Sequence, residues 1–531
     1  MTDFLLLGSN YFKNSLTELG HSVFWAGDDP ECDLRLPSQK IDVTLILSRM
    51  PGRPQAIILT DDLGARVLPS GLDKTPILKI WYAVDSPLNF FWQREYAPLF
   101  DLVLVDQKDC ASDLGQLAGG PVHWLPVGIQ TRLYEQPVRE KKYDLAFVGT
   151  LSNEVRPKRS LILTALSKRY SLSTAGGKNE DWISPEQAAY LYAQSRMVFN
   201  ENLFDGVTTR MLEGMASGSL LLTEEAANGM ADLFDPGLDF VAYTPFNLFD
   251  LIDLYLKNEK KRAQIAARGR DKVWALHDIR HRTIRLLDLA SSVKPETGLR
   301  SGGAFFRQQG KTFFLAFIRW PHEKNRSWLV RAETMLSRAV NTVEADRDSF
   351  LYLGLIHRLK GEYEKGIPYL DKASSMGSLR ARMALAFSAL EQDHNNEALK
   401  HFLAVFKMEE PEDEASVECF RRLPVNLPLS AEQHFSLGQI LEKRGHGFTP
   451  GFTRSNLSMP FFNAFEHYLS ALKIAPDHRP ALQRTAELLA EFGAYTEAYS
   501  FMARAADIAP QSSELAEKAE HFARLGYCSI K

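Results

Sequence analysis

The sequence predicts an α/β region followed by an all-α region: two doubly wound domains in tandem, then a helical array. Three observations carry that reading. Residues 1–290 alternate short, continuous apolar runs with longer helical patterns, as parallel strands buried on both faces do. A polar, Pro-bearing stretch, TRLYEQPVREKKY (131–143), splits those runs into two series. Beyond residue 330 the pattern turns helical and repeats.

In the first series FLLLG (4–8), VTLILS (43–48), QAIIL (55–59), ILKIWYAVD (77–85), LVLVD (102–106) and VHWLPVG (122–128) read as buried strands. The second has LAFVGT (145–150), YSLSTAG (170–176), MVFNEN (197–202), SLLLTE (219–224) and FVAY (240–243). Sheets of this kind take ligands at the carboxyl ends of their strands. Those ends are polar and Gly-rich here: GSN (8–10), VDSP (84–87), VGT (148–150) and FNENLFDG (199–206). Two such domains, over 1–135 and 136–290, would face each other across a cleft. A linker with Pro, Ser and Gly covers 291–329.

In the helical array over 330–525, Ala464, Ala471 and Pro476 recur 34 residues later as Ala498, Ala505 and Pro510. Leu353-Gly354, Gly366, Leu370 and Ala373 fit the same register, as do Ala386, Ala398, Phe402 and Val405. Ala332, Leu336 and Ala339 form a half unit before them. This spacing resembles the tetratricopeptide repeat (TPR), two helices per unit with small residues where they cross, stacked into a solenoid. An insertion, RGHGFTPGFTRSNLSMP (444–460), interrupts one unit.

Composition sets bounds on function. The chain has 531 residues, 45% hydrophobic and 24% charged, with a net charge of −4. No global field attracts nucleic acid or an anionic membrane. Four dispersed cysteines give neither a disulfide framework nor a metal-spaced pair, which suits a reducing cytoplasm. MTDFLLLGSNYF reads as a first strand rather than a leader, and TFFLAFI (312–318) as a packed helix. There is no P-loop, no G-x-S-x-G and no catalytic Cys arrangement. His277 and His281 stand at i, i+4, but no third ligand is evident, and they read as a helix face. Asp28-Asp29 and Asp61-Asp62 read as turns.

The stretch that asks for chemistry is FDGVTTRMLEGMASGSLLLTEEAANG (204–229). Asp205 to Thr209 suit a helix N-terminus, where free N–H groups and the dipole favour an anion. Glu213 lies two turns on, where a carboxylate can accept both hydrogens of a ribose diol. Gly218 then suits the helix end.

Asp205, seven residues, Glu213, then a small-residue turn and an apolar strand resemble the signature of retaining glycosyltransferases of the GT-B fold (group 1, family 4-like), in which the first acid is usually Glu. The CgeB-like branch is nearer. It is similar in Gly206, Arg210 and Glu213, in WYAVDSP (81–87), WLPVG (124–128) and YDLAFVGT (143–150), and in HDIRHRTIRLL (277–287). The resemblance implies two Rossmann-like domains, with a nucleotide-diphosphate sugar held mainly by the second. Gly149 and Thr150 would let the backbone approach the phosphates. Arg156, Lys158 and Arg159 would supply charge, and Gly206, Thr208 and Arg210 would add donors. Glu213 would hold the ribose. The catalytic pair would be Asp205, at the donor sugar, and Asp85, either orienting an acceptor hydroxyl or stabilising charge at the sugar carbon. No cofactor or metal is implied.

The sequence therefore leads to the expectation of a cytoplasmic hexosyl- or N-acetylhexosaminyl-transferase. Its repeat domain would recruit a protein acceptor, such as a surface or flagellar protein. A polysaccharide or lipid-linked acceptor, a sugar-nucleotide epimerase, a non-catalytic nucleotide-binding scaffold and a pure repeat adaptor are the alternatives.

Overall fold

The apolar runs on either side of residue 135 form two parallel sheets in the computed structural model. It describes residues 3–37, 41–61, 67–135, 140–151, 156–176, 183–202, 206–224, 228–244, 246–295, 302–322, 325–343, 345–392, 394, 397, 401, 430–443 and 464–530. The chain divides into two compact units. One comprises Met1–Gly149, Tyr170–Phe317 and Lys324–Ala332; the other comprises Thr150–Arg169, Ile318–Glu323 and Glu333–Lys531.

Both sheets lie in the first unit. Strands β1 (Phe4–Gly8), β2 (Val23–Gly27), β3 (Leu34–Arg35), β4 (Ala56–Thr60), β5 (Leu78–Ala83), β6 (Leu102–Val105) and β7 (Val122–Trp124) build one. Its order is β3-β2-β1-β4-β5-β6-β7. Strands β8 (Tyr143–Val148), β9 (Leu172–Ala175), β10 (Ser195–Asn200), β11 (Leu220–Glu224) and β12 (Val241–Tyr243) build the other, in the order β12-β11-β10-β8-β9. Every pairing is parallel. We call the two sheets with their helices the first and second lobes.

One apolar run takes a different form. Val43–Arg49, read above as a strand, is a helix. Asp42 caps it, its carboxylate accepting from the amides of Thr44 and Leu45 at 3.0 and 3.2 Å. Val43 and Ile46 are its buried residues, with Met50 buried just past its end, a spacing that the continuous apolar run conceals.

The helix Ile279–Ser291 follows the second sheet in sequence but packs on the first. Ile279, Leu286, Leu289 and Ala290 share a core with Phe4, Leu6, Leu16, Tyr82 and Leu104. Arg282 secures the crossing, its Nε donating to the Pro126 carbonyl at 2.7 Å. Two strands of chain, near residues 130 and 278, thus connect the lobes; the Thr131 hydroxyl donates to Asp278 at 2.6 Å between them.

Beyond residue 330 the described chain is helical. Ala464, Ala471, Ala498 and Ala505, the positions that recur in sequence, are fully buried in one core with Tyr468 and Met502. Small residues are required at helix contacts. A Cβ on Gly354 would lie 2.6 Å from Leu370 Cγ, and one on Gly438 would lie 2.3 Å from the Tyr468 ring. Ala398, Phe402, Val405 and the insertion 444–460 lie outside the described residues. The TFFLAFI run falls in the helix Gly303–Arg319, with Phe313, Phe314, Leu315 and Ala316 buried. Among the described residues, no helix is long and apolar enough to cross a membrane.

Candidate functional site

In the second sheet the strand order reverses at β8, with β9 on one side and β10 on the other. The crevice at the carboxyl ends of β8 and β10 is where such sheets take ligands. Arg210, on the helix Thr209–Ala216, fills it. Its Nε donates to the Val148 carbonyl at 2.7 Å and its Nη1 to Asn200 Oδ1 at 2.8 Å, so one guanidinium joins the two strand ends. It also lies over the Phe147 ring, 4.4 Å from the centroid. Asn200 is braced in turn. Its amide donates to Asn202 Oδ1 and Thr223 Oγ1 at 2.9 and 3.0 Å, and its carbonyl accepts from the Tyr243 hydroxyl at 3.0 Å.

The loops after β8 and β9 meet at two glycines. Gly149 has φ +151°, and a Cβ there would lie 2.2 Å from Arg210 Nη2. Gly176 has φ +93°, and a Cβ there would lie 2.8 Å from the Gly149 nitrogen. Side chains at either place would fill the crevice mouth.

Glu213 stands one turn past Arg210. Burial pushes its carboxyl above the usual range, against the opposing effects of the Arg210 charge and the phenols of Tyr134 and Tyr192. Both phenols are themselves pushed up, by burial first and by the Glu213 charge second. At the start of this helix the Thr208 hydroxyl is buried with no hydrogen-bond partner among the described residues. The cap side chain therefore does not serve the first-turn N–H groups, of which that of Met211 donates to the Thr208 carbonyl at 3.2 Å.

The first lobe presents acids instead. Asp61, Asp85 and Asp106 follow β4, β5 and β6. Asp61, read above as a turn residue, is buried and accepts from Trp81 Nε1 at 2.9 Å and Gln93 Nε2 at 3.2 Å. Burial pushes its carboxyl up to about 7. Asp106 is also pushed up to about 7, by burial and by the neighbouring Asp85 charge. Asp85 has φ 52° and ψ 40°, the one left-handed non-glycine residue among those described. Its amide donates to Asp106 Oδ2 at 2.9 Å, and its carbonyl accepts from Asn89 Nδ2 at 3.1 Å. Conformations of this kind cost roughly 1–3 kcal/mol and persist where the surroundings enforce them.

The loop after β6 touches the second lobe. Gln107 Nε2 donates to Asp106 Oδ2 at 3.3 Å and to the Val207 carbonyl at 3.2 Å. Lys108 Nζ pairs with both carboxylate oxygens of Asp232 at 2.8 Å. The Asp109 amide donates to Asn228 Oδ1 at 3.1 Å, and Asn228 bridges in turn to Gly206.

Of the residues singled out in sequence, Gly149, Gly206, Thr208, Arg210 and Glu213 thus gather around one helix start. Asp85 connects to it through Asp106, Gln107 and Val207. Thr150, Arg156 and Arg159 belong to the other unit. There Arg159 is buried and its Nη1 donates to the Thr150 carbonyl at 3.2 Å, while Arg156 immediately precedes the helix Pro157–Ser167. Asp205 lies outside the described residues. His277 is buried against Arg282, its Nδ1 2.7 Å from Nη2. Sequence reasoning left out Tyr134, Tyr192, Asn200, Asp106 and Gln107. Asn200 and Asp106 carried a signal, a polar residue ending an apolar strand; the two tyrosines carried none.

Residues 136–288 match a family model described as glycosyl transferase-like. No curated protein matches the chain. Among solved structures, sucrose-phosphate synthase from Thermosynechococcus elongatus aligns at 12% identity over 54% of this chain and 98% of its own, with a TM-score of 0.42. HepE from Anabaena in complex with UDP aligns at 14% identity over 55% and 100%, with a TM-score of 0.37. A glycosyltransferase from Rickettsia africae aligns at 10% identity over 55% and 98%, with a TM-score of 0.40.

Proposed function

We propose that this chain is a glycosyltransferase that moves a sugar from a nucleotide-diphosphate sugar to an acceptor. The observation that supports the reading most is Arg210, held at the switch point of the second sheet by Val148 and Asn200, with Glu213 one turn behind it. The glycosyl transferase-like match covers this lobe. A diphosphate leaving group gains charge as the bond to the sugar breaks. A fixed guanidinium and the N–H groups at a helix start stabilise that charge without reorganising. In this reading they serve in place of a divalent metal. Glu213 accepts from the ribose diol, and Asp205 contacts the donor sugar. Asp85 stands at the acceptor side, where its carboxylate orients the attacking hydroxyl or stabilises charge at the sugar carbon. Transfer retains configuration, of a hexosyl or N-acetylhexosaminyl group.

In the same reading the helical region is a TPR solenoid whose surface recruits a protein acceptor, such as a surface or flagellar protein, in the cytoplasm. The buried alanines at 34-residue spacing support the repeat.

The test is calorimetry of the purified chain against UDP-, GDP-, dTDP- and CMP-sugars, beside Glu213→Ala. Micromolar binding of one of them, lost in the variant, is the expected result. No binding by any, with the protein folded, overturns the reading and leaves the repeat region as the functional half.

A further inference from the structure

We propose that Asp106 and Gln107 are positioning residues that tie the setting of Asp85 in the first lobe to the seating of the Gly206–Thr208 segment of the second. The inference rests on the reading above of what the two lobes bind.

The connection is continuous and short. The Asp85 amide and Gln107 Nε2 both donate to one oxygen, Asp106 Oδ2, at 2.9 and 3.3 Å. The other oxygen faces the Ser86 amide at 3.5 Å. The Asp106 carbonyl accepts from Trp124 Nε1 at 3.1 Å, which fixes the backbone under the carboxylate. Gln107 Nε2 has two hydrogens. The second goes to the Val207 carbonyl at 3.2 Å, one residue before the helix cap Thr208. A single amide group thus spans the lobes and orients the carboxylate that holds Asp85 left-handed.

The fit at the far end is specific. A Cβ on residue 206 would lie 1.7 Å from Gln107 Oε1 and 2.7 Å from its Cδ. The crowding there comes from the glutamine itself and not from the backbone, since Gly206 is not among the left-handed glycines. Any side chain at 206 expels Gln107 from the bridge. Because the diphosphate in the proposed reading docks at the start of the same helix, seating the donor and setting Asp85 become one event.

Amide hydrogen exchange tests this without any substrate, because the Asp85 amide is itself the donor to Asp106. Gln107→Ala should speed exchange of the Asp85 amide about tenfold, the factor that an ordinary buried hydrogen bond gives. Gly206→Ala, a change in the other lobe, should do the same. The double variant should match either single one, since both remove one contact. Lys108→Met breaks a different interlobe contact and should leave the Asp85 amide unchanged. Unaltered exchange in Gly206→Ala, additive effects in the double variant, or an equal effect of Lys108→Met would each overturn the proposal. With a nucleotide sugar that the wild type turns over, Gln107→Ala should lower kcat about tenfold with KM within about twofold, a split that general loosening does not give. Should the wild type turn over none, the glycosyltransferase reading falls while the exchange experiment still decides the bridge.

Discussion

Replacing Arg210 by Met should destabilise the second lobe by about 3 kcal/mol. The guanidinium makes two hydrogen bonds, to Val148 O at 2.7 Å and Asn200 Oδ1 at 2.8 Å. Bonds from a charged donor contribute about 1.5–3 kcal/mol each. Its position over Phe147 adds about 0.5–1 kcal/mol. The two bonds share one group and are not independent, and removing a partly buried charge recovers some desolvation cost, so the sum is discounted to about 3 kcal/mol. Met keeps the packing of the stem but leaves Asn200 Oδ1 buried without that donor. At an m-value of about 3 kcal/mol per M, the urea midpoint falls by about 1 M. Trp274 is the convenient reporter, since its indole N–H donates to the Ala216 carbonyl at the end of the same helix. Arg210→Lys should lose roughly half as much, because an ammonium on this stem reaches one acceptor rather than two. On the proposed reading the Met variant also binds its nucleotide sugar about a hundredfold more weakly. A Met variant that unfolds within about 0.2 M of the wild type would refute the view that Arg210 joins the strand ends.

Three further outcomes follow from the same geometry. Glu213 has a carboxyl raised by burial, and ribose hydroxyls bind its ionised form; nucleotide affinity should therefore rise with pH through that raised value, and in Glu213→Gln be flat and about tenfold weaker by calorimetry. Asp61 and Asp106 titrate near 7 when folded and at about 3.9 when unfolded; their contribution to stability is complete below the unfolded value and is lost as pH rises to about 7. Asp61→Asn should accordingly flatten the fall in urea midpoint between about pH 4 and pH 7, and an equally steep fall would count against the buried carboxyl. In the helical region Gly354→Ala should cost about 1–3 kcal/mol in a thermal melt, the overlap with Leu370 outweighing alanine's better helix propensity.

The parallel strands were legible because they are buried on both faces, and burial writes itself as a continuous apolar run. The same rule misread Val43–Arg49, whose apolar run conceals a helix with one buried face and an Asp42 cap. Near the site, Gly206, Arg210 and Glu213 were legible because one helix start carries them in sequence. Asp106 was visible as an acid ending an apolar strand, yet its neighbour Gln107 was not. Its role depends on a residue a hundred positions later, Val207, and no local pattern encodes such a contact. Tyr134 fell in a stretch that reads as a connection; only folding brings its phenol to Glu213. Sequence reads what one element does to itself, and misses what two elements do to each other.

The groups at the strand ends of the two lobes argue for a division of labour on the proposed reading. The second lobe centres a guanidinium on its switch point, braced through Asn200 by Asn202, Thr223 and Tyr243. The first lobe ends three adjacent strands, β4, β5 and β6, in aspartates. On the proposed reading the donor's charged end belongs to the second lobe, beside the Arg210 guanidinium. The acids are then suited to the other partner of the reaction, a hydroxyl that must lose a proton or a sugar carbon that gains positive charge. Two of them are held near neutrality by burial, and Asp85, only partly buried, is held in place by one of those two. The Asp85 charge in turn adds to burial in pushing the Asp106 carboxyl up. On the proposed reading, an acid set at the tip of β5 through a contact with the facing lobe is what a reaction needs if its acceptor is to be activated only when the donor is present.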